Sequence, residues 1–205
     1  MVVDNFERIK AFLNFKEGDN DVFYLIQVMQ RSKDFNDGSV HGTKLIRSYY
    51  VSNVEYYESH EDEIKRMCEF FNARAYIRLN PSSWKACCLK SLGEIAKIIE
   101  SEQYRNIKSV IDSMAGQYHP SGYDKKWIID VDEYADDQKY ISAIEKEVNG
   151  CEPNVGESKI LGTIPTKNGL HILTKPFNIA QFRNIYPESM LDIHKDNPTL
   201  LYYNG

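Results

Sequence analysis

The chain has 205 residues, of which 42% are hydrophobic and 27% charged, as expected of a globular protein with one medium-sized domain or two small subdomains. Its formal net charge of −5 counts against a protein that coats nucleic acid non-specifically. There is no apolar run near the roughly 20 residues that span a bilayer, and the N-terminus lacks a secretory signal pattern. We therefore expect a cytoplasmic protein with no membrane partner.

The N-terminal half is predicted to be mixed α/β. Strands are predicted over residues 22–30 and 73–79, from aromatic and β-branched residues and from alternation. Helices are predicted over residues 61–72, 81–100 and 104–114. Ser59 is the expected N-cap of the first helix, and Asn80 with Pro81 is the expected start of the second. The second helix carries an apolar face with helical spacing: Trp84, Cys88, Leu92, Ile95 and Ile99.

The four cysteines, Cys68, Cys87, Cys88 and Cys151, form no C-x-x-C pair. Adjacent cysteines are poorly spaced for zinc, so buried free thiols in a reducing compartment are the interpretation we favour.

The C-terminal half has a clearer pattern. Strands are predicted over residues 126–132, 159–164, 170–174, 190–194 and 199–203. Helices are predicted over residues 136–148 and from the N-cap Asn178 to about residue 185. The order is β-α-β-β-α-β with one further strand, which is the ferredoxin-like pattern. The loop that starts at His119 is the expected boundary between an N-terminal α/β subdomain, residues 1–118, and a C-terminal subdomain, residues 119–205, of one compact α+β unit.

Two carboxylates are expected to share one face of the strand over residues 126–132. Side chains alternate across a strand, so Asp130 and Asp132 lie opposite to Trp127, Ile129 and Val131. Two neighbouring carboxylates repel each other unless a cation lies between them. Oxygen ligands of this kind suit Mg²⁺ or Mn²⁺.

Two further residues are expected on the same face. In a β-α-β-β-α-β fold the first strand lies between the third and the fourth, which carry His171 and Asp192. Asp130, Asp132, His171 and Asp192 are therefore expected to converge. The alternative is that His171 is a hydrogen-bonded structural residue and that each aspartate is a solvated strand end or a cap.

Three segments resemble the signature of the archaeo-eukaryotic primase superfamily, in particular its primase-polymerase branch. They are WIIDVD (127–132), NGLHIL (168–173) and LDIHKDNPTLLYY (191–203). The resemblance implies an RRM-like catalytic half. It implies that Asp130, Asp132 and Asp192 are catalytic and hold two Mg²⁺ or Mn²⁺ ions, and that His171 contacts the triphosphate of an incoming nucleotide.

The loop before His171 is implied in nucleotide binding as well. Lys167 is expected to reach the phosphates, and Thr166 and Asn168 to donate hydrogen bonds. Gly169 stands where serine is frequent in the family, so one hydroxyl contact is expected to be missing. Asp196 is interpreted as a structural residue of a turn.

The implied activity is metal-dependent nucleotidyl transfer that joins nucleoside triphosphates on a nucleic-acid template, as in a DNA primase or polymerase. The expected partners are single-stranded or primed nucleic acid and a separate helicase. Residues 159–187 contain no Asp or Glu, so Lys159, Lys175 and Arg183 are the predicted nucleic-acid contacts. If these three residues do not contact nucleic acid, the template path is expected around Arg31, Lys33 and Arg78.

Two other functions are open at this stage. The same carboxylates suit a metal-dependent nuclease or another phosphotransferase. A nuclease needs no triphosphate pocket. A non-catalytic, primase-like module that binds nucleic acid is the non-enzymatic alternative.

Overall fold

The computed structural model describes residues 1–35, 42–117, 119–154 and 156–205. The side chain of Lys33, and Tyr118 at the expected subdomain boundary, lie outside the described part. The strands are β1 (Val2–Asp4), β2 (Val22–Arg31), β3 (Thr43–Val51), β4 (Arg74–Arg78), β5 (Ser82–Ser83), β6 (Trp127–Val131), β7 (Ile160–Pro165), β8 (Leu170–Thr174), β9 (Asp192–His194) and β10 (Pro198–Asn204). The helices are α1 (Phe6–Lys10), α2 (Val54–Ser59), α3 (Glu61–Phe71), α4 (Trp84–Glu100), α5 (Val110–Met114), α6 (Gln138–Gly150) and α7 (Ile179–Arg183), and 3₁₀ turns cover Ser32–Asp34 and Tyr104–Ser109. The α+β class is confirmed.

The strands form two antiparallel sheets. The first has the order β1-β10-β4-β2-β3, with β5 beside β2. The second has the order β7-β8-β6-β9. In the second sheet β6 therefore lies between β8 and β9, as the sequence led us to expect for the first strand of that half.

The last strand does not stay with the second sheet. β10 lies between β1 and β4 of the first sheet, where Tyr203 pairs with Val3 and Leu200 pairs with Tyr76. Its residues 199–203 are all buried, so a central place with a neighbour on each edge suits them. The boundary between residues 118 and 119 thus separates the two sheets except for β10.

Two apolar clusters hold the layers together. Ile128, Ile164 and Leu173 of the second sheet are buried in one cluster with residues of the first sheet, such as Ile26 and Ile77. This cluster joins the two sheets face to face. The opposite side of the second sheet carries α6 and α7, whose apolar residues are buried against it.

The predicted helix caps are confirmed only in part. Asn178 caps α7 as expected, and its side chain accepts a hydrogen bond from the backbone N–H of Gln181. Ser59 is wrong as a cap, since it ends α2 and the residue before α3 is His60. Asn80 is also wrong, because Ser83 caps α4 by accepting from the N–H of Ala86 at 3.1 Å.

The expected apolar face of α4 is wrong. Cys88, Leu92 and Ile99 are exposed, whereas Cys87 and Ser91 are buried. Cys87 lies in a cluster with residues of β2 and with Ala115, so contact with the first sheet and the chain after α5 selects the buried side.

All four cysteines are free thiols, and three of them are buried as expected. Cys88 is exposed. Within the described ranges, no helix has both the length and the apolar composition that a bilayer crossing requires.

A polar cluster ties the end of β4 to the turn between β9 and β10. The carboxylate of Asp196 accepts from Asn80 Nδ2 at 3.1 Å and from Arg78 Nη1 at 3.2 Å. His119 lies with Nε2 3.0 Å from Asp196 Oδ2 and with Nδ1 2.8 Å from the carbonyl oxygen of Pro81. Since both ring nitrogens face acceptors, the doubly protonated ring suits the site. The hydrogen bond to Asp196 accordingly raises the pKa of His119 above its ordinary 6.5, against a lowering by burial.

We predict that this cluster makes stability depend on pH. A raised pKa in the folded state means that the stabilisation is complete below about pH 6.5 and is lost as the pH rises through the folded value. Urea denaturation should therefore show the wild type losing about 1 kcal/mol more than His119→Gln between pH 6 and pH 9. Asp196→Asn should remove the same pH-dependent part. Parallel pH profiles for the wild type and His119→Gln would contradict the assignment.

Candidate active site

Strand β6 directs Asp130 away from the helices. Ile129 and Val131 are buried in the cluster that contains α6 and α7, while Ile128 is buried between the sheets. Alternation therefore puts Asp130 on the side of the first sheet, where it is partly buried. Asp132 follows the last residue of β6 and is exposed.

Asp130 is the middle member of a row that crosses three strands. In the antiparallel register it lies directly opposite His171 of β8 and directly opposite Asp192 of β9. Directly opposed residues have Cβ atoms roughly 5 Å apart on the same face of the sheet. Asp130 and Asp192 are thus like charges on adjacent strands, and such a pair is destabilising without a cation.

His171 is held on both sides by other side chains. Its Nδ1 lies 2.8 Å from the hydroxyl of Thr199 in β10, and its Nε2 lies 3.4 Å from Oδ1 of Asp130. The side chain is only 12% exposed. The ring therefore links the second sheet to the last strand of the first sheet, and its predicted contact with phosphate stays a prediction.

A cleft of about 390 Å³ opens between the two sheets beside this row. Six of the predicted site residues line it: Asp130, Asp132, Thr166, Lys167, Asn168 and His171. The other lining residues are Met29, Arg31, Thr43, Arg74, Tyr76, His194, Asn197, Pro198 and Leu200. Of these, only Arg31 was named from the sequence, as an alternative contact for the template. The cleft thus combines carboxylates of the second sheet with arginines of the first.

The cations of the cleft come from both sheets. Arg31 donates from Nη1 to the hydroxyl of Tyr76 at 3.0 Å. Arg74 forms two hydrogen bonds with the carboxylate of Asp34, one of them from Nε at 2.8 Å. Lys167 lies with Nζ 3.2 Å from Oδ1 of the same carboxylate.

These contacts change the titration of the groups that form them. Burial raises the pKa of Asp34, but the hydrogen bonds and charges of Arg74 and Lys167 outweigh it, so this pKa lies below its ordinary value. The pKa of Lys167 is raised by a hydrogen bond to Tyr203 and, after a lowering by burial, by Asp34. Both groups are therefore charged at neutral pH.

A second, acidic cleft of about 280 Å³ lies on the other side of the two aspartates. Asp130 and Asp132 line both clefts, and Asp192 lines the second. The remaining lining residues of the second cleft are Glu133, Tyr134, Tyr140, Glu188, Ser189, Met190 and Leu191. All three predicted metal ligands therefore line the second cleft.

The three carboxylates are of a chemical type that binds divalent cations. In the part of the chain that the structure describes, no group of three or more His, Cys, Asp or Glu side chains is already arranged to hold a metal ion. Asp130, Asp132 and Asp192 nevertheless line one cleft and offer hard oxygen donors, the type that Mg²⁺ and Mn²⁺ require. Because Asp130 and Asp192 face each other, we judge that the residues fit such an ion.

Comparison with protein-family models, with curated proteins and with solved structures finds no significant match. The resemblance to primases therefore stays an expectation from the three sequence motifs.

The three cations of the predicted basic surface over residues 159–187 all make local contacts. Lys159 is buried and its Nζ donates to the carbonyl oxygen of Asn149 at 3.0 Å. Lys175 follows the end of β8 that lies away from Lys167. Its Nζ lies 3.0 Å from Oε2 of Glu157. Arg183 donates to carbonyl oxygens of the chain that follows α7. Buried Lys159 is therefore not available to nucleic acid, whereas the predicted contacts of Lys175 and Arg183 stay predictions.

The alternation of residues along β4 indicated a cation of the cleft that the sequence-based predictions did not name. Arg74, Tyr76 and Arg78 alternate with the buried Ala75 and Ile77, so a polar face was visible in the sequence. What the sequence did not reveal is that this face meets the loop containing Lys167, since that contact joins the two sheets.

Gly169 brings the loop before β8 against the end of β6. A Cβ atom at this position would lie 2.0 Å from the carbonyl oxygen of Val131 and 2.8 Å from Cα of Asp132. Thr166 closes the same turn, since its hydroxyl accepts from the N–H of Gly169 at 3.0 Å. The backbone at this position thus requires glycine.

We predict that Gly169→Ala lowers the free energy of unfolding by about 2 kcal/mol, because the strand end or the loop must move. The same movement should weaken the binding of any ligand that Asp132 holds. Gly93→Ala is the matched control, since nothing lies within 4 Å of the added methyl group in α4. The control should be neutral or stabilising by about 0.5–1 kcal/mol. Urea denaturation of both variants measures this, and equal stability of the two would contradict the close approach.

Proposed function

We propose that this chain is a metal-dependent nucleotidyltransferase of the primase-polymerase type, which joins nucleoside triphosphates on a nucleic-acid template. The observation that carries the proposal is the row of His171, Asp130 and Asp192 beside a cleft that also contains Arg31, Arg74 and Lys167. A site that transfers a nucleotide needs carboxylates for a cation and positive groups for a polyphosphate, and the two sets are neighbours in this cleft.

We also propose that the second sheet with α6 and α7 is an RRM-like unit. Its first strand lies between its third and fourth, and both helices contribute to one cluster on a single side. That order and that layering support the split βαβ arrangement of the ferredoxin-like pattern. The two sheets together form one catalytic unit in this proposal, since β10 belongs to the first sheet.

Asp130, Asp132 and Asp192 would hold Mg²⁺ or Mn²⁺. A bound ion of this kind lowers the pKa of the attacking hydroxyl and neutralises charge on the triphosphate and on the leaving pyrophosphate. His171 holds Asp130 in place through its Nε2 and keeps its own orientation through Thr199.

The protein's cations have the task of binding and orienting the phosphates. Arg31, Arg74 and Lys167 face a polyphosphate from both sheets, and an arginine fork matches phosphate geometry. Thr166 accepts a hydrogen bond from Gly169, so its own hydroxyl proton is left to donate to the ligand. Asn168 in the same turn supplies a side-chain amide.

The cellular compartment and the template are part of the same proposal. Four free thiols support a reducing compartment such as the cytoplasm. Single-stranded or primed nucleic acid is the proposed template, with Arg31 as a proposed contact because it lines the cleft.

A non-catalytic binding module is the second candidate. The observation in its favour is that, among the described residues, no three-ligand metal group is preassembled. Such a module would bind nucleotide or nucleic acid through Arg31, Arg74 and Lys167 and would not extend a primer.

Extension of a primed template with nucleoside triphosphates and Mn²⁺ tests the proposed function. We expect the wild type to lengthen the primer and Asp132→Asn to be at least about 100-fold slower, because a metal ligand acts directly on the reacting groups. Asp62→Asn, the same change on the exposed side of α3, is the matched control and should keep full activity.

Thermal melts separate loss of metal from loss of fold. With Mn²⁺ at about ten times its dissociation constant, the wild type should gain about 1.4 kcal/mol, or about 3 °C, and Asp130→Asn should gain nothing. A primer that is shortened rather than extended would point to a nuclease. Nucleotide binding without extension by a fully folded protein would point to the binding module.

The role of His171 can be tested separately. If it contacts phosphate, His171→Ala should weaken the binding of a nucleoside triphosphate about tenfold and leave the affinity for Mn²⁺ alone unchanged. Titration calorimetry with each ligand measures both affinities. Thr199→Val, which removes the hydroxyl beside Nδ1, is the control for ring orientation. If the affinity for Mn²⁺ falls and that for the nucleotide does not, His171 acts through Asp130 alone.

A further inference from the structure

One buried carboxylate takes up two of the cations that line the described cleft. Asp34 ends the 3₁₀ turn after β2, and its side chain is only 3% exposed. Arg74 of β4 donates to both of its oxygens, through Nε and Nη2. Lys167, from the loop between β7 and β8, lies with Nζ 3.2 Å from Oδ1. Donors from two sheets thus converge on a single anionic group.

The same donors match a phosphate group. An arginine that offers Nε and Nη2 in parallel binds a carboxylate or a phosphate equally well in geometry. The Lys167 side chain is 33% exposed and also bonds to Tyr203, so it faces both Asp34 and the open cleft. A phosphate that enters the cleft meets these cations with their donors already directed at Asp34.

We propose that Asp34 competes internally with the phosphate groups of the cleft's ligand, so that a polyphosphate binds by replacing this carboxylate on Arg74 and Lys167. The inference extends the proposed function, because it takes the triphosphate of the substrate as the ligand. Asp34 keeps two buried or partly buried cations paired, which avoids the large penalty of an unpaired buried charge. Asp34 thereby sets how tightly the cleft holds a polyphosphate.

A purely structural Asp34 leads to a different expectation. If it only orients Arg74 and Lys167, its neutral replacement leaves those cations disordered, and the affinity for polyphosphate falls or stays the same. If it competes, the same replacement frees both cations and removes a negative charge beside the ligand, so that the affinity rises.

Binding of inorganic tripolyphosphate to Asp34→Asn, measured by titration calorimetry in EDTA, tests the inference. We expect Asp34→Asn to bind about tenfold more tightly than the wild type, because one repelling charge is gone and two cations are released. Asp62→Asn is the matched control, with the same change of charge on exposed α3, and should bind like the wild type. An unchanged or weaker affinity of Asp34→Asn overturns the inference.

A second variant assigns the gain to the freed cations. In a Lys167→Met background, the effect of Asp34→Asn should shrink to about threefold or less, because one of the two released groups is missing. If the full tenfold gain persists, Lys167 does not exchange Asp34 for the ligand and the proposal fails in that part.

Stability gives an independent readout. Asp34→Asn leaves Arg74 without its carboxylate, so its melting temperature should fall and tripolyphosphate should raise it more than in the wild type. A variant that fails to fold even with tripolyphosphate overturns the inference, since a phosphate then cannot replace the carboxylate. All these measurements exclude metal, so a positive result together with absent primer extension would reject the proposed function and not the role of Asp34.

Discussion

The register of β6 is the constraint on which the site depends. Ile129 and Val131 are fully buried under the helices, and Ile128 is buried between the sheets. Each such side chain contributes roughly 2 kcal/mol of burial. A slip of one residue would exchange the two faces of β6 and turn Asp130 into the apolar helix layer, so the apolar residues determine where the carboxylate points.

The same face of the second sheet changes character along its length, and this opens the cleft. At one end Ile128 and Leu173 pack against the first sheet, and a few residues further Asp130 and His171 face each other across β6 and β8. Apolar contact closes the sheets at the first end, whereas polar groups that need solvent or a ligand keep them apart at the other. β10 lies in the first sheet, and Thr199 from it reaches back to His171.

Local patterns predicted the site better than they predicted the contacts around it. Alternation was enough to place Asp130 away from the helices, and element order was enough to expect His171 on a neighbouring strand. Arg74 escaped notice because its role comes from contact between the sheets, which no local pattern encodes. The cap of α4 was missed for a similar reason, since Asn80 looks like a cap but bonds instead to Asp196, far away in sequence.

A crystal of the chain grown with Mn²⁺ and a non-hydrolysable nucleoside triphosphate would test the central claim most directly, through anomalous scattering from the metal. We expect a Mn²⁺ peak within coordination distance, about 2.2 Å, of carboxylate oxygens of Asp130 and at least one of Asp132 and Asp192, with the triphosphate in the cleft between the sheets. A triphosphate bound in that cleft with no metal at these carboxylates, or a metal bound elsewhere, would contradict the proposed chemistry.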